Sequence, residues 1–98
     1  MDMIRAIIFE DGDLWVGQCL EVDIAAQGDD LKSVQDRLLV TIEAEAQECR
    51  NRGVFPFEGI DPAPQEYHDM WDQKASGFRQ TTSIDGDRPL TVEQAVAA

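Results

Sequence analysis

Between Leu31 and Arg52 the apolar residues Leu31, Val34, Leu38, Ile42, Ala46 and Cys49 recur every three or four positions. That spacing lines them along one face of an α-helix, and no other stretch limits the fold as tightly. The signals at its ends agree. Gly28-Asp29-Asp30 supplies a stop and then an acid that can accept a hydrogen bond from an orphan N–H, with a charge suited to the positive pole of the helix. Arg50 and Arg52 complement the negative pole, and Gly53 can take the left-handed conformation that ends a helix. Leu39 and Val40 lie partly off the stripe, where they either widen the buried face or mark a subunit contact.

Upstream, the pattern changes period. Met3 to Phe9 alternates Ile4, Ala6 and Ile8 against Met3, Arg5, Ile7 and Phe9, which predicts a strand. Glu10-Asp11-Gly12-Asp13 contains the Asp-Gly pair of a tight hairpin. Leu14 to Leu20 then returns, with Trp15, Gly17 and Cys19 on one face and Leu14, Val16, Gln18 and Leu20 on the other. Both faces carry apolar groups, so alternation alone does not say which meets the helix. Val22 to Gln27 reads as a third strand that completes an antiparallel meander.

Downstream, Phe55-Pro56-Phe57 rules out ordinary helix and predicts an extended loop. Pro64 can open a short second helix whose Tyr67, Met70 and Trp71 share a face and cap the core. From Ala75 the chain turns polar and loses any sustained period, so weak order is expected. Phe78 to Ile84 can form an edge strand, and Thr91 with Gln94 can make a capping box for a final helical turn. The expected organisation is one domain over residues 1–74 and a polar, disordered tail over 75–98.

Charge narrows the function classes. Twenty acidic residues against eight basic ones give a net charge of -12 in 98 residues, which repels a polyphosphate backbone. Direct binding to nucleic acid is therefore not expected, while a basic protein partner suits the field. The apolar run at the N-terminus is too short for a signal peptide, nothing approaches a membrane span, and a cytoplasmic location is the expectation. Cys19 and Cys49 are far apart without CxxC spacing and are read as buried, reduced core residues.

Catalytic patterns are sparse. His68 is the only histidine, which excludes a two-histidine metal set within one chain, and it reads as a surface or interface residue beside Asp69. Glu10, Asp11 and Asp13 can gather a divalent ion, yet a hairpin already accounts for the glycine and its flanking acids. The series lacks the spaced ligands of a calcium loop. GxxxxGK[ST], GxGxxG and GxSxG do not occur. No metal or cofactor is expected.

The stretch FEDGDLWVGQCLEVDIAAQGDDLKSVQDRLLVTIEAEAQE, with hairpin, third strand, Gln27-Gly28, acidic cap and amphipathic helix in order, resembles the HicB-like antitoxin domain. Asp11-Gly12, Trp15-Val16, Cys19-Leu20 and Gln27-Gly28-Asp29 carry the resemblance, which covers about Met3 to Arg52. It implies an α+β fold, a β-β-β-α core similar to a partial RNase H fold, in which a three-stranded antiparallel sheet is packed by one long helix. It also implies a non-catalytic protein that binds and neutralises a small basic RNA-cleaving toxin, as a homodimer or higher oligomer. Glu10, Asp11, Asp13, Trp15, Glu21 and Asp23 are the expected partner-binding residues. One feature departs from the family: the tail is too short for the DNA-binding module many such antitoxins carry, and Arg79 and Arg88 stand alone in it, so autorepression through DNA is not expected. The alternatives are a metal-dependent RNase H-like nuclease, which needs carboxylates converging on one ion, and an unassigned ligand-binding module.

Overall fold

The computed structural model describes residues 3–54, 57–75, 79–84 and 90–97. In chain order they form β1 (Met3–Asp11), β2 (Leu14–Cys19), β3 (Ala25–Gly28), α1 (Leu31–Arg52), α2 (Gln65–Lys74), β4 (Arg79–Ile84) and β5 (Leu90–Val96). The strands make one five-stranded mixed sheet in the order β3-β2-β1-β5-β4. The architecture is α+β, as expected, but the sheet has five strands where the sequence predicts three.

The N-terminal meander forms for the local reasons its sequence supplies. Asp11 pairs with Leu14, leaving a two-residue loop in which Gly12 takes φ +64°. A positive φ at the first loop residue matches the right-handed twist of the flanking strands and favours glycine. β3 begins later than the predicted Val22, because the Ile24 N–H turns back onto the Val22 carbonyl at 2.9 Å. That tight turn buries Val22 completely and delays the ladder.

The helix α1 keeps its predicted bounds. Asp30 stands outside it in extended conformation and accepts a bond from the Ser33 N–H at 2.7 Å, while Gly53 at φ 71° donates to the Arg50 carbonyl. Val34, Leu38, Ile42, Ala46 and Cys49 are its buried residues. The first four join Ile4, Ala6 and Ile8 of β1, Cys19 of β2, and Leu90 and Val92 of β5 in a single core. A Cβ on Gly17 would fall 3.0 Å from Leu38 Cδ2, which places the Trp15, Gly17 and Cys19 row on the α1 side. Of the two residues off the stripe, Leu39 packs against the core and Val40 is 66% exposed.

The other face of the sheet receives α2. Phe9 stacks on Tyr67 with ring centroids 6.1 Å apart, and the Arg5 guanidinium lies 5.5 Å from the Trp71 ring centroid. These contacts give Tyr67 and Trp71 the capping role expected of them. The approach to α2 is pinned by two backbone bonds, Asp23 N–H to the Asp61 carbonyl and Ala63 N–H to the Leu20 carbonyl. Of the aromatic loop, Phe55 and Pro56 lie outside the described residues, and Phe57 is buried in the α1-side core with φ 64°.

The largest departure from expectation is at the C-terminal end. Thr91 and Gln94 do not cap a helical turn. They belong to β5, which runs parallel to β1 with Met3 beside Thr91 and Ile8 beside Val96. The region read as a weakly ordered tail therefore supplies an inner strand, and β4 pairs antiparallel with it at the sheet edge. The edge strand expected over Phe78–Ile84 is present as β4, with Phe78 outside the described residues. Alternation in β5 is masked by Gln94, which occupies a core-facing position opposite Ala6 and is 1% exposed. Both polar atoms of its side chain lack a hydrogen-bond partner. A buried amide without partners costs about 1–3 kcal/mol. Gln94→Met, which keeps the volume and removes the polar atoms, is accordingly expected to raise the melting temperature by roughly 5 °C in a thermal denaturation series. A fall in melting temperature would count against that account of Gln94.

Candidate functional site

The β1–β2 hairpin brings together four of the six residues expected to bind a partner. Glu10 pairs with Trp15 on the α1 side of the sheet, and Asp11 and Asp13 flank the turn. Glu10, Asp11 and Asp13 are exposed and Trp15 is half-buried. Where β1 and β5 end and α2 passes over them, a cleft of about 290 Å³ is lined by Phe9, Glu10, Trp15, Met70, Lys74 and Ala97. Lys74 was not legible as a site residue. Its only signal is the i,i+4 spacing from Met70 that puts both on one helix face.

Glu21 and Asp23 are elsewhere and otherwise employed. Glu21 accepts from the Arg5 backbone N–H and from Arg5 Nε, both at 2.7 Å, forming a partly buried ion pair. Asp23 Oδ1 accepts from Gln18 Nε2 at 3.0 Å. These bonds fasten the β2–β3 turn against the start of β1. Arg5 and Glu10 are five residues apart on one strand, so about 17 Å separates this cluster from the hairpin acids. The six expected residues thus form two groups, one whose acids make no ion pair among the described residues and one tied into the fold by hydrogen bonds, with Asp23 still exposed.

The remaining chemistry is muted. Both cysteines are buried and free. Burial, and secondarily the Glu21 carboxylate, pushes the Cys19 thiol up to about 12, so it stays protonated and a poor nucleophile at neutral pH. His68 is half-buried on α2, and Asp69 accepts from Gln65 Nε2 at 3.0 Å. Among the described residues no three His, Cys, Asp or Glu side chains come together as a metal site would require. No helix among them is long and apolar enough to cross a membrane. The chain matches no protein-family model, no curated protein and no solved structure.

The geometry therefore offers separated, solvated carboxylates beside an indole face. Such a surface attracts Lys and Arg side chains, through the carboxylates at long range and through the ring at contact.

Proposed function

We propose that this chain is a non-catalytic interaction protein of HicB-like antitoxin type, whose hairpin end holds a small basic protein and blocks its RNA-cleaving activity. The observation that carries the reading is the imbalance of charge at that end. Glu10, Asp11 and Asp13 take part in no ion pair among the described residues. Meanwhile Arg5 and Arg52 pair with Glu21, Glu45 and Glu48, Lys32 pairs with Asp36, Arg37 bonds the Gln27 carbonyl, and Arg50 bonds Gln47. These five basic side chains are engaged within the fold, and the hairpin acids remain for a partner. The resemblance over residues 3–52 supplies the class of partner.

The test uses the polypeptide encoded by the adjacent reading frame. Purified and titrated into this protein, it should bind with an affinity that falls as salt rises. The triple variant Glu10→Gln, Asp11→Asn, Asp13→Asn should bind about tenfold more weakly, the sum of three solvated charge contacts. Co-expression should also relieve growth arrest caused by that polypeptide. An adjacent product that is not basic, or no heat of binding at low salt, overturns the proposal.

A further inference from the structure

We propose that the free edge of β3, together with the groove between it and α1, is a docking site for an extended partner segment that adds as a sixth strand, apolar opposite Ala26 and basic on either side. The proposal rests on the reading that the chain binds a basic protein, and specifies how one segment of it is held.

The backbone phase of β3 shows what its edge offers. The Cys19 N–H bonds the Ile24 carbonyl at 2.9 Å. Directly opposed residues in an antiparallel pair alternate between bonded and non-bonded, so Ala26 opposite Gly17 and Gly28 opposite Trp15 also bond inward to β2. Ala25 and Gln27 then direct their N–H and C=O groups outward, and β3 is terminal in the sheet. Of these four groups only the Gln27 carbonyl has a partner among the described residues, Arg37 Nη1 at 3.0 Å. A guanidinium lying on an edge carbonyl discourages indiscriminate pairing. The other three groups form a short template for strand addition.

Beside this edge lies a groove of about 380 Å³, walled by β3 and by Asp36, Arg37, Val40 and Thr41 of α1. Ala26 is on the α1 side, in line with Gly17. A residue added opposite Ala26 would therefore project toward α1 and into this groove, against Val40, which no other described element covers and which is 66% exposed. The neighbours of that residue would point away. At one end of β3 stands Asp23, whose Oδ1 accepts from Gln18, and at the other stand Asp29 and the helix-capping Asp30, all three still exposed to an incoming cation. An incoming strand with Lys or Arg flanking its apolar centre meets a carboxylate at each end. A second copy of this chain does not fit these requirements, since it brings a net charge of -12 against the same acids.

The probe is the peptide Lys-Thr-Lys-Thr-Val-Thr-Lys-Thr-Lys with blocked ends, titrated into the 15N-labelled protein. The expected result is saturable shifts at Ala25, Gln27 and Val40 with slowed amide exchange at Ala25 and Gln27. Val40→Lys, an exposed substitution that leaves the core intact, should weaken binding at least tenfold. N-methylation of the two threonines beside the central valine should abolish it, because strand addition needs those N–H groups whereas charge attraction does not. Shifts confined to Glu10, Asp11 and Asp13, equal binding of the N-methylated peptide, or self-association of the protein that Val40→Lys dissolves would each overturn the proposal. If the adjacent gene product binds Val40→Lys normally and the hairpin triple variant weakly, the edge proposal falls while the proposed function stands. Loss of binding by neither variant removes both.

Discussion

Leu38→Ala is expected to lower the unfolding free energy by about 4 kcal/mol, in the upper half of the range for truncating a buried leucine. Leu38 is fully buried at the middle of the α1 stripe, and its Cδ2 sits 3.0 Å from where a Cβ on Gly17 would be. The leucine fills the notch that the glycine leaves in β2. When it is cut back, the strand beneath has no side chain with which to close the space, and the cavity term persists in full. Urea unfolding should show a lower midpoint with an unchanged slope. Gly17→Ala alone crowds Leu38 and Ile8, whose Cδ1 would lie 3.1 Å away, so it too should destabilise. Combined, the two substitutions exchange volume across one contact, and the double variant should be more stable than the two losses added together predict. Additivity would show that the helix and the strand do not meet there.

Gly28→Ala should cost about 3 kcal/mol for a different reason. The added Cβ would fall 2.6 Å from the Val34 nitrogen, 2.9 Å from Ser33 Cβ and 3.0 Å from Val34 Cα. Two of these three atoms are backbone in the first turn of α1, so no rotamer change relieves the clash and the start of the helix must move. Overpacking of this kind costs about 1–3 kcal/mol. The shift also endangers the bond from the Ser33 N–H to Asp30, a cap interaction worth about 1 kcal/mol. The loss should appear in chemical denaturation and as faster hydrogen exchange at the Ser33 and Val34 amides. An unperturbed exchange pattern would contradict it.

This pair of glycines shows what a sequence conveys and what it withholds. Gly28 reads as punctuation between a strand and a helix cap, and the boundary is correctly placed. Its steric reason is absent, however, because the need for a bare Cα arises from how closely the first turn of α1 lies against Gly28. The bounds of α1 were legible because each signal is local: Asp30 acts over three residues, the apolar stripe over three or four, and Gly53 on the turn before it. β5 was not legible. Its pairing partner lies at the far end of the chain, and Gln94 puts an amide where alternation calls for an apolar side chain.

The acids divide along the same line. Glu10, Asp11 and Asp13 could be read as an exposed cluster because a hairpin turn is a local device. Glu21 and Asp23 carry the same charge in the sequence, alternating with Leu20, Val22 and Ile24. What separates them is that Arg5 reaches Glu21 only after β1 and β2 pair, and Gln18 reaches Asp23 only once the chain turns from β2 into β3. The edge groove at Val40 was half legible: a valine off the stripe suggests a contact, but the depth of the space beside it depends on Ala25 and Ala26 arriving from another element.

The placement of β5 between β1 and β4 sets an order of events during synthesis. The hairpin and α1 can associate as soon as residues 3–52 are available, yet β1 then keeps one side of its backbone unpaired until residues 90–96 have been made. For that interval a strand containing Ile4, Ile7 and Ile8 is an open edge, the state in which chains most readily pair with each other. Closing it requires the longest-range strand pairing among the described residues, a slow step among elementary folding events. The first strand to emerge is thus the last to be completed, and the yield of native protein depends on how long its neighbours keep away from it.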